Sequence, residues 1–236
     1  MGHFLSSELL DHICIPYQRA GKFAWHFARG KLNRDPVFAH ILQADYIPHH
    51  SRVLDIGCGQ GLLTALLCGM DDYAQKHPEK RIDIKSISVT GIEIMPNDVI
   101  RAQQALQVFG SRSQIVQGDM RQIDFEISDV VVILDVLHYV NYNEQNDILK
   151  RVYACLSSEG VLLLRVGDAS AGLPFLLSNW VDAVVFSLRG HKSVHVYCRS
   201  ITEWKDQLEK IGFKVTDIPM HKGTPFANVL LHCQRS

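Results

Sequence analysis

Three glycines alternate in Val53-Leu54-Asp55-Ile56-Gly57-Cys58-Gly59-Gln60-Gly61, at the end of a short apolar run and just before a segment of helical periodicity. Glycine in such a place lets the chain turn tightly and lets a ligand come close to the main chain. The start of the following helix adds unpaired N–H groups and the positive end of its dipole. The spacing is GxGxG, whereas a loop that seats a pyrophosphate usually reads GxGxxG. Asp55 would repel a pyrophosphate, but it suits a ligand that carries an ammonium and a sulfonium. A glycine-rich turn without a ligand is the plain alternative.

Two further acids follow at related positions. Glu93 ends the run Ser88 to Ile94, where a carboxylate can accept from both ribose hydroxyls of an adenosine. The interval from Gly57 exceeds the usual spacing of about 20 residues, and the polar stretch Asp71 to Lys85 accounts for the excess. Asp119, in Gln117-Gly118-Asp119-Met120, can accept from an adenine amino group, with Met120 as an apolar contact to the ring. For each acid the alternative is a solvated loop residue. Asp55, Glu93 and Asp119 gain weight together, because each falls at the carboxyl end of a successive strand, the edge along which open α/β sheets bind ligands.

The elements that must position them alternate from residue 51 onward, which predicts a mostly parallel sheet with helices on both faces. Strands are expected at 51–56, 88–94, 114–118, 130–134 and 161–166, with helices from about Leu62, from Pro96 to Phe109 and from Glu144 to Leu156. Helix 201–211 precedes strands 213–218 and 228–233, whose short connection predicts an antiparallel hairpin. Residues 1–50 read as a helical cap over one end of the sheet, and residues 51–236 as the main domain.

With these pieces in place, the chain resembles the class I S-adenosylmethionine (SAM)-dependent methyltransferases. The matching segments are VLDIGCGQG at 53–61, VTGIEIMP at 89–96, QGDMRQIDF at 117–125, DVVVILDVLHYV at 129–140 and LSSEGVLLLRVGD at 156–168. The resemblance implies a three-layer Rossmann-like fold, with seven strands and an antiparallel last strand. It implies SAM as cofactor and S-adenosylhomocysteine as product. Asp55, Gly57, Cys58, Gly59 and Gly61 would hold the methionine end, Glu93 and Ile94 the ribose region, and Asp119 and Met120 the adenine. It does not name an acceptor.

Methyl transfer is an in-line displacement that positioning and water exclusion can largely drive. A base is required only if the acceptor must lose a proton. His138, after the fourth strand, is the first choice for such a base, with a structural histidine as the alternative. Asp135 is expected to contact the cofactor or order its loop. Arg165 and Asp168 flank the end of the fifth strand. Either they form an internal salt bridge, or Arg165 pairs with an acceptor carboxylate. Residues 168–199 read as a lid over the acceptor, with Leu173, Phe175, Leu176, Trp180, Val184 and Phe186 as an apolar lining or a homodimer contact. His191 and His195 lack the acid that a zinc site would add, so no metal is expected. Tyr17 and Arg19 either close over the cofactor or serve in packing.

The bulk properties narrow the partners. A net charge of -1 argues against a general nucleic-acid binder. Six scattered cysteines without a CxxC pair suit a reduced, cytoplasmic protein. There is no secretory signal pattern, and the apolar stretch 173–188 is too polar for stable membrane insertion. The expected acceptor is a small amphipathic or aromatic acid or phenol, free or carrier-bound. The competing functions are a catalytically silent SAM-binding regulatory protein and a nicotinamide-dependent oxidoreductase.

Overall fold

The computed structural model describes residues 5–83, 85–169, 196–220 and 228–235. Seven strands form one sheet: β1 (Arg52–Ile56), β2 (Ser88–Glu93), β3 (Ser113–Gln117), β4 (Ser128–Leu134), β5 (Leu156–Gly167), β6 (Phe213–Pro219) and β7 (Asn228–Arg235). Their order across the sheet is β3-β2-β1-β4-β5-β7-β6. β2 runs parallel to both β1 and β3, whereas β7 is antiparallel to both β5 and β6. This is the Rossmann-like arrangement that the resemblance implies, built on the mostly parallel sheet that the alternation predicts. The chain divides into two compact units, Met1–Val132 and Ile133–Ser236.

In the first unit, helices α1 (Ser7–Cys14), α2 (Lys22–Arg34) and α3 (Pro36–Gln43) precede the sheet, with a 3-10 segment over Ile15–Ala20. α1 packs on α4 (Leu62–Lys76), and the 3-10 segment packs on α5 (Pro96–Leu106). Gly69 marks the closest approach, since a Cβ there would lie 3.1 Å from Ile13 Cγ1. α1 and the 3-10 segment therefore lie against α4 and α5, and α2 packs on α1 and on that segment. Coverage by α1 explains why α4 is buried almost all round, from Leu62 to Cys68 and again at Tyr73 and Ala74. Each large apolar side chain so buried contributes about 1.5–3 kcal/mol. Pro96 occupies the first turn of α5, as expected, but the α-helix ends at Leu106 and a kinked 3-10 segment carries the chain to Arg112.

In the second unit, α6 (Tyr142–Cys155) starts with a capping box between Asn141 and Glu144, and α7 (Ile201–Ile211) with one between Ser200 and Glu203. These reciprocal bonds satisfy helix-start donors that would otherwise lack partners. Gly212, with φ near +119°, ends α7. The hairpin of β6 and β7 is antiparallel as expected, pairing Val215 with Cys233. β5 is longer than its expected 161–166. The proposed lid lies mostly outside the described residues, as do His191, His195 and its six apolar side chains.

Candidate active site

The first unit assembles the glycine loop, Glu93 and the strand ends. β1 and β2 are in register with Asp55 opposite Gly91, and β2 and β3 with Glu93 opposite Gln117. The amides of Gly57 and Cys58 both donate to Ile92 O, at 2.8 and 3.1 Å, which bends the loop back over the end of β2. Gly57, Gly59 and Gly61 all have positive φ, the conformation that glycine adopts at least cost. A Cβ on Gly59 would meet nothing within 4 Å, so its surroundings are open to a ligand. A Cβ on Gly61 would collide with Leu106 Cδ1, so this glycine serves packing of the helix start. Cys58 is buried against Gly91, and burial pushes its thiol well above the ordinary range.

Glu93 is buried and tied to the loop. One carboxylate oxygen accepts from Gly59 N and the other from Met95 N, both at 2.8 Å. Burial raises its pKa, and the two backbone N–H groups oppose that rise. Asp55 is also buried, and burial followed by the charge of Glu93 pushes its carboxyl up to about 7. Ile94 beside Glu93 is 53% exposed, leaving an apolar surface next to the ribose candidate. Asp119 follows β3 as expected, but its carboxylate is engaged by Arg121, with Nη2–Oδ2 at 2.6 Å and Nε–Oδ1 at 3.0 Å. That cation holds Asp119 below the usual carboxylate range. Met120 is half-buried beside it.

Sequence reasoning missed part of this unit. The Gln60 side chain donates to Asp98 Oδ1 at 3.3 Å, and Arg101 donates to the same oxygen at 3.0 Å. Tyr17 is fully buried, and its hydroxyl donates to Gln60 O at 2.8 Å. Tyr17 thus anchors the loop's main chain, a use that neither expectation for it described. An acid in the first turn of α5 was the visible signal for Asp98.

The second unit brings Asp135, His138 and Arg165 together. Asp135 has φ near +57°, unusual for a non-glycine residue, and its amide donates to Arg165 O at 3.2 Å. Arg165, 2% exposed, donates from Nε to Asp135 Oδ1 at 2.9 Å and from Nη2 to Oδ2. Arg165 thus pairs with Asp135, a partner that neither expectation for Arg165 named. Asp168 is half-buried just beyond β5. His138 stands in a single 3-10 turn, Leu137–Tyr139, with its ring edge-on to Tyr139 at 4.1 Å between centroids. Burial lowers its pKa, and Asp135 opposes the shift.

A family model for methyltransferase domains matches residues 24–218. The chain therefore belongs to that family, and its class is that of the SAM-dependent methyltransferases. Among curated proteins it is similar to the carboxy-S-adenosyl-L-methionine synthases. It is 28% identical to that of Chromohalobacter salexigens over 116 residues, 48% of this chain and 39% of the relative. It is 27% identical to that of Psychrobacter arcticus over 134 residues, 55% of this chain and 48% of the relative. The chain thus spans less than half the length of these relatives. Among solved structures, magnesium protoporphyrin IX methyltransferase from Synechocystis with bound S-adenosylhomocysteine shares the fold, at TM-score 0.59, 20% identity and 94% coverage of both chains. Mitomycin 7-O-methyltransferase does so at TM-score 0.63 and 21% identity, over 94% of this chain and 60% of that one.

The residues present fit SAM. The open space at Gly59 admits a ligand to the main chain, and the buried acids Asp55 and Glu93 suit a cation with vicinal hydroxyls. Asp55, Gly57 and Gly59 would hold its methionine end and Glu93 its ribose. SAM supplies an electrophilic methyl group when bound.

Proposed function

We propose that the chain transfers a methyl group from SAM to a small acid or phenol of amphipathic or aromatic character, free or carrier-bound, in the cytoplasm. The observation that carries the reading is the pairing of an open Gly59 with the buried Glu93 that grips its amide. The role of the chain's own residues is to bind, to orient and to move one proton. Burial favours the neutral imidazole of His138, the form that can accept the acceptor's hydroxyl proton as the new bond to carbon forms. The sulfonium leaves as a neutral thioether, so no further charge needs an enzyme group.

Calorimetric titration with SAM, S-adenosylhomocysteine and NAD tests the cofactor. Micromolar affinity, about 8 kcal/mol, is expected for the first two and none for NAD; the reverse would return the oxidoreductase reading. Turnover on a panel of acids and phenols separates an enzyme from a silent SAM binder. With a productive acceptor, His138→Ala should lower kcat by about 10²–10⁴ and leave SAM affinity within a few fold. The wild-type rate should fall as pH drops below the lowered histidine pKa, because protonation removes the base, and the mutant should lose that limb.

The names of the curated relatives favour a second reading, in which the chain makes a carboxylated SAM. Mass spectrometry of the nucleoside extracted from purified protein distinguishes the two, since a carboxylated sulfonium is heavier than SAM.

A further inference from the structure

We propose that Gln145 and Arg199 are positioning residues that clamp the His138 turn to the segment 196–200. The inference rests on reading His138 as the proton acceptor. The turn itself is short, a single 3-10 turn over Leu137–Tyr139. Its carbonyls meet a side chain from the first turns of α6. Gln145 is fully buried, and its Nε2 lies 3.2 Å from Leu137 O, 3.1 Å from Val140 O and 2.8 Å from Tyr197 O. The first two carbonyls bracket His138, and the third belongs to the segment leading into α7. That segment also reaches back directly, with Tyr197 N donating to His138 O at 2.8 Å.

Arg199 fixes which way the Gln145 amide points. Its Nε donates to Gln145 Oε1 at 2.9 Å. A guanidinium cannot accept a hydrogen bond, so the amide must turn its oxygen to Arg199 and its NH2 to the carbonyls. Arg199 is held in turn by Asn146 Oδ1 at 3.0 Å and Tyr142 O at 3.2 Å, and it lies over the rings of Tyr142 and Trp204 at 4.7 and 5.3 Å. These acceptors are all neutral, and the carboxylate of Glu203 acts on the arginine through its charge. The capping box at Asn141 anchors the helix end that carries Gln145. The two NH2 hydrogens are shared among the three carbonyls while the oxygen is given to Arg199, so this buried cluster favours one geometry of the turn.

The consequence is read at His138 itself. Burial lowers its pKa against the opposing charge of Asp135. A loosened turn should admit water and return the ring to the ordinary value of about 6.5. The experiment is a pH titration of the imidazole carbon signals of the chain labelled at histidine, with His138 assigned by difference against His138→Asn. Wild type should titrate below the ordinary value. Gln145→Glu, isosteric but without the NH2 donor, and Gln145→Met should both shift the midpoint upward, with SAM affinity within about threefold of wild type. Arg199→Lys should shift it in the same direction by less. An unchanged midpoint in a folded Gln145 variant overturns the proposal. If neither Gln145 variant folds, an unchanged midpoint in Arg199→Lys does so. An ordinary wild-type midpoint also overturns it. Absence of SAM binding by wild type would instead count against the methyltransferase reading and leave the clamp's own signal readable.

Discussion

Asp55 holds its proton more tightly in the folded chain than an unfolded aspartate does, with its carboxyl pushed up to about 7 by burial and by Glu93. Its contribution to stability is complete below the unfolded value of about 3.9. It declines as pH rises from there through about 7, because the unfolded state gives up the proton first. Ligand binding reverses the bias. A cation beside Asp55 favours the carboxylate, so SAM affinity should rise with pH up to about 7, by at most about tenfold per pH unit. Binding below that pH should release a proton. Calorimetry in two buffers of different ionisation enthalpy measures the release, and Asp55→Asn should abolish it. A pH-independent affinity in wild type would place the ligand's cation elsewhere. Glu93 makes a second residue-scale prediction. Glu93→Ala should weaken SAM binding by about 1.5–3 kcal/mol, the scale of hydrogen bonds to a charged group. It should also cost stability, since Gly59 N and Met95 N lose their acceptors. Glu93 was legible as a strand-end acid, but its grip on Gly59 was not, because that bond joins residues 34 apart in sequence.

At the scale of elements, the glycine loop separates two roles that one motif combines. Gly61→Ala must place a methyl group against Leu106 at positive φ, so it should cost more than the roughly 1–2 kcal/mol of the left-handed backbone alone. Gly59→Ala meets open space and should cost less stability but more SAM affinity. Urea denaturation and SAM titration of the two variants should therefore rank them in opposite orders; a common order would undo the distinction. The glycines, Pro96 and the terminal hairpin were readable because backbone restrictions and connection length are local. The extent of α4 was harder to read. The polar stretch Asp71 to Lys85 could extend the helix or follow it; the helix continues to Lys76, and Asp71 is buried as the acceptor for Lys85 N. Gln145 resembles any polar residue of an early helical turn. Its role depends on carbonyls brought from Leu137 and Tyr197 by the fold, which periodicity cannot register.

Across the whole molecule, the cysteines report how the chain protects its interior. All six are free thiols, and five are buried: Cys14, Cys58, Cys68, Cys155 and Cys233. Burial pushes Cys14 and Cys68 up to about 12 and Cys155 to about 11, far from the range in which thiolate forms near neutrality. Thiolate is the reactive species, so these groups are inert until the surrounding structure opens. Cys198, half-buried in the segment whose carbonyl accepts from Tyr142 Oη, has the readiest access. A thiol reagent added to native protein should therefore titrate one cysteine quickly and the remaining five at the slower rates of structural opening, with all six reacting at once in denaturant. SAM should slow the reaction of Cys58 in particular. A ligand that binds only the folded loop stabilises it by about 2.7 kcal/mol at a hundredfold excess over Kd. It lowers the open population that exposes this thiol by the same factor. Peptide mapping of the modified sites over time distinguishes Cys58 from the others. Rapid labelling of two or more buried cysteines without denaturant would show that the packing around them opens far more readily than the structure implies.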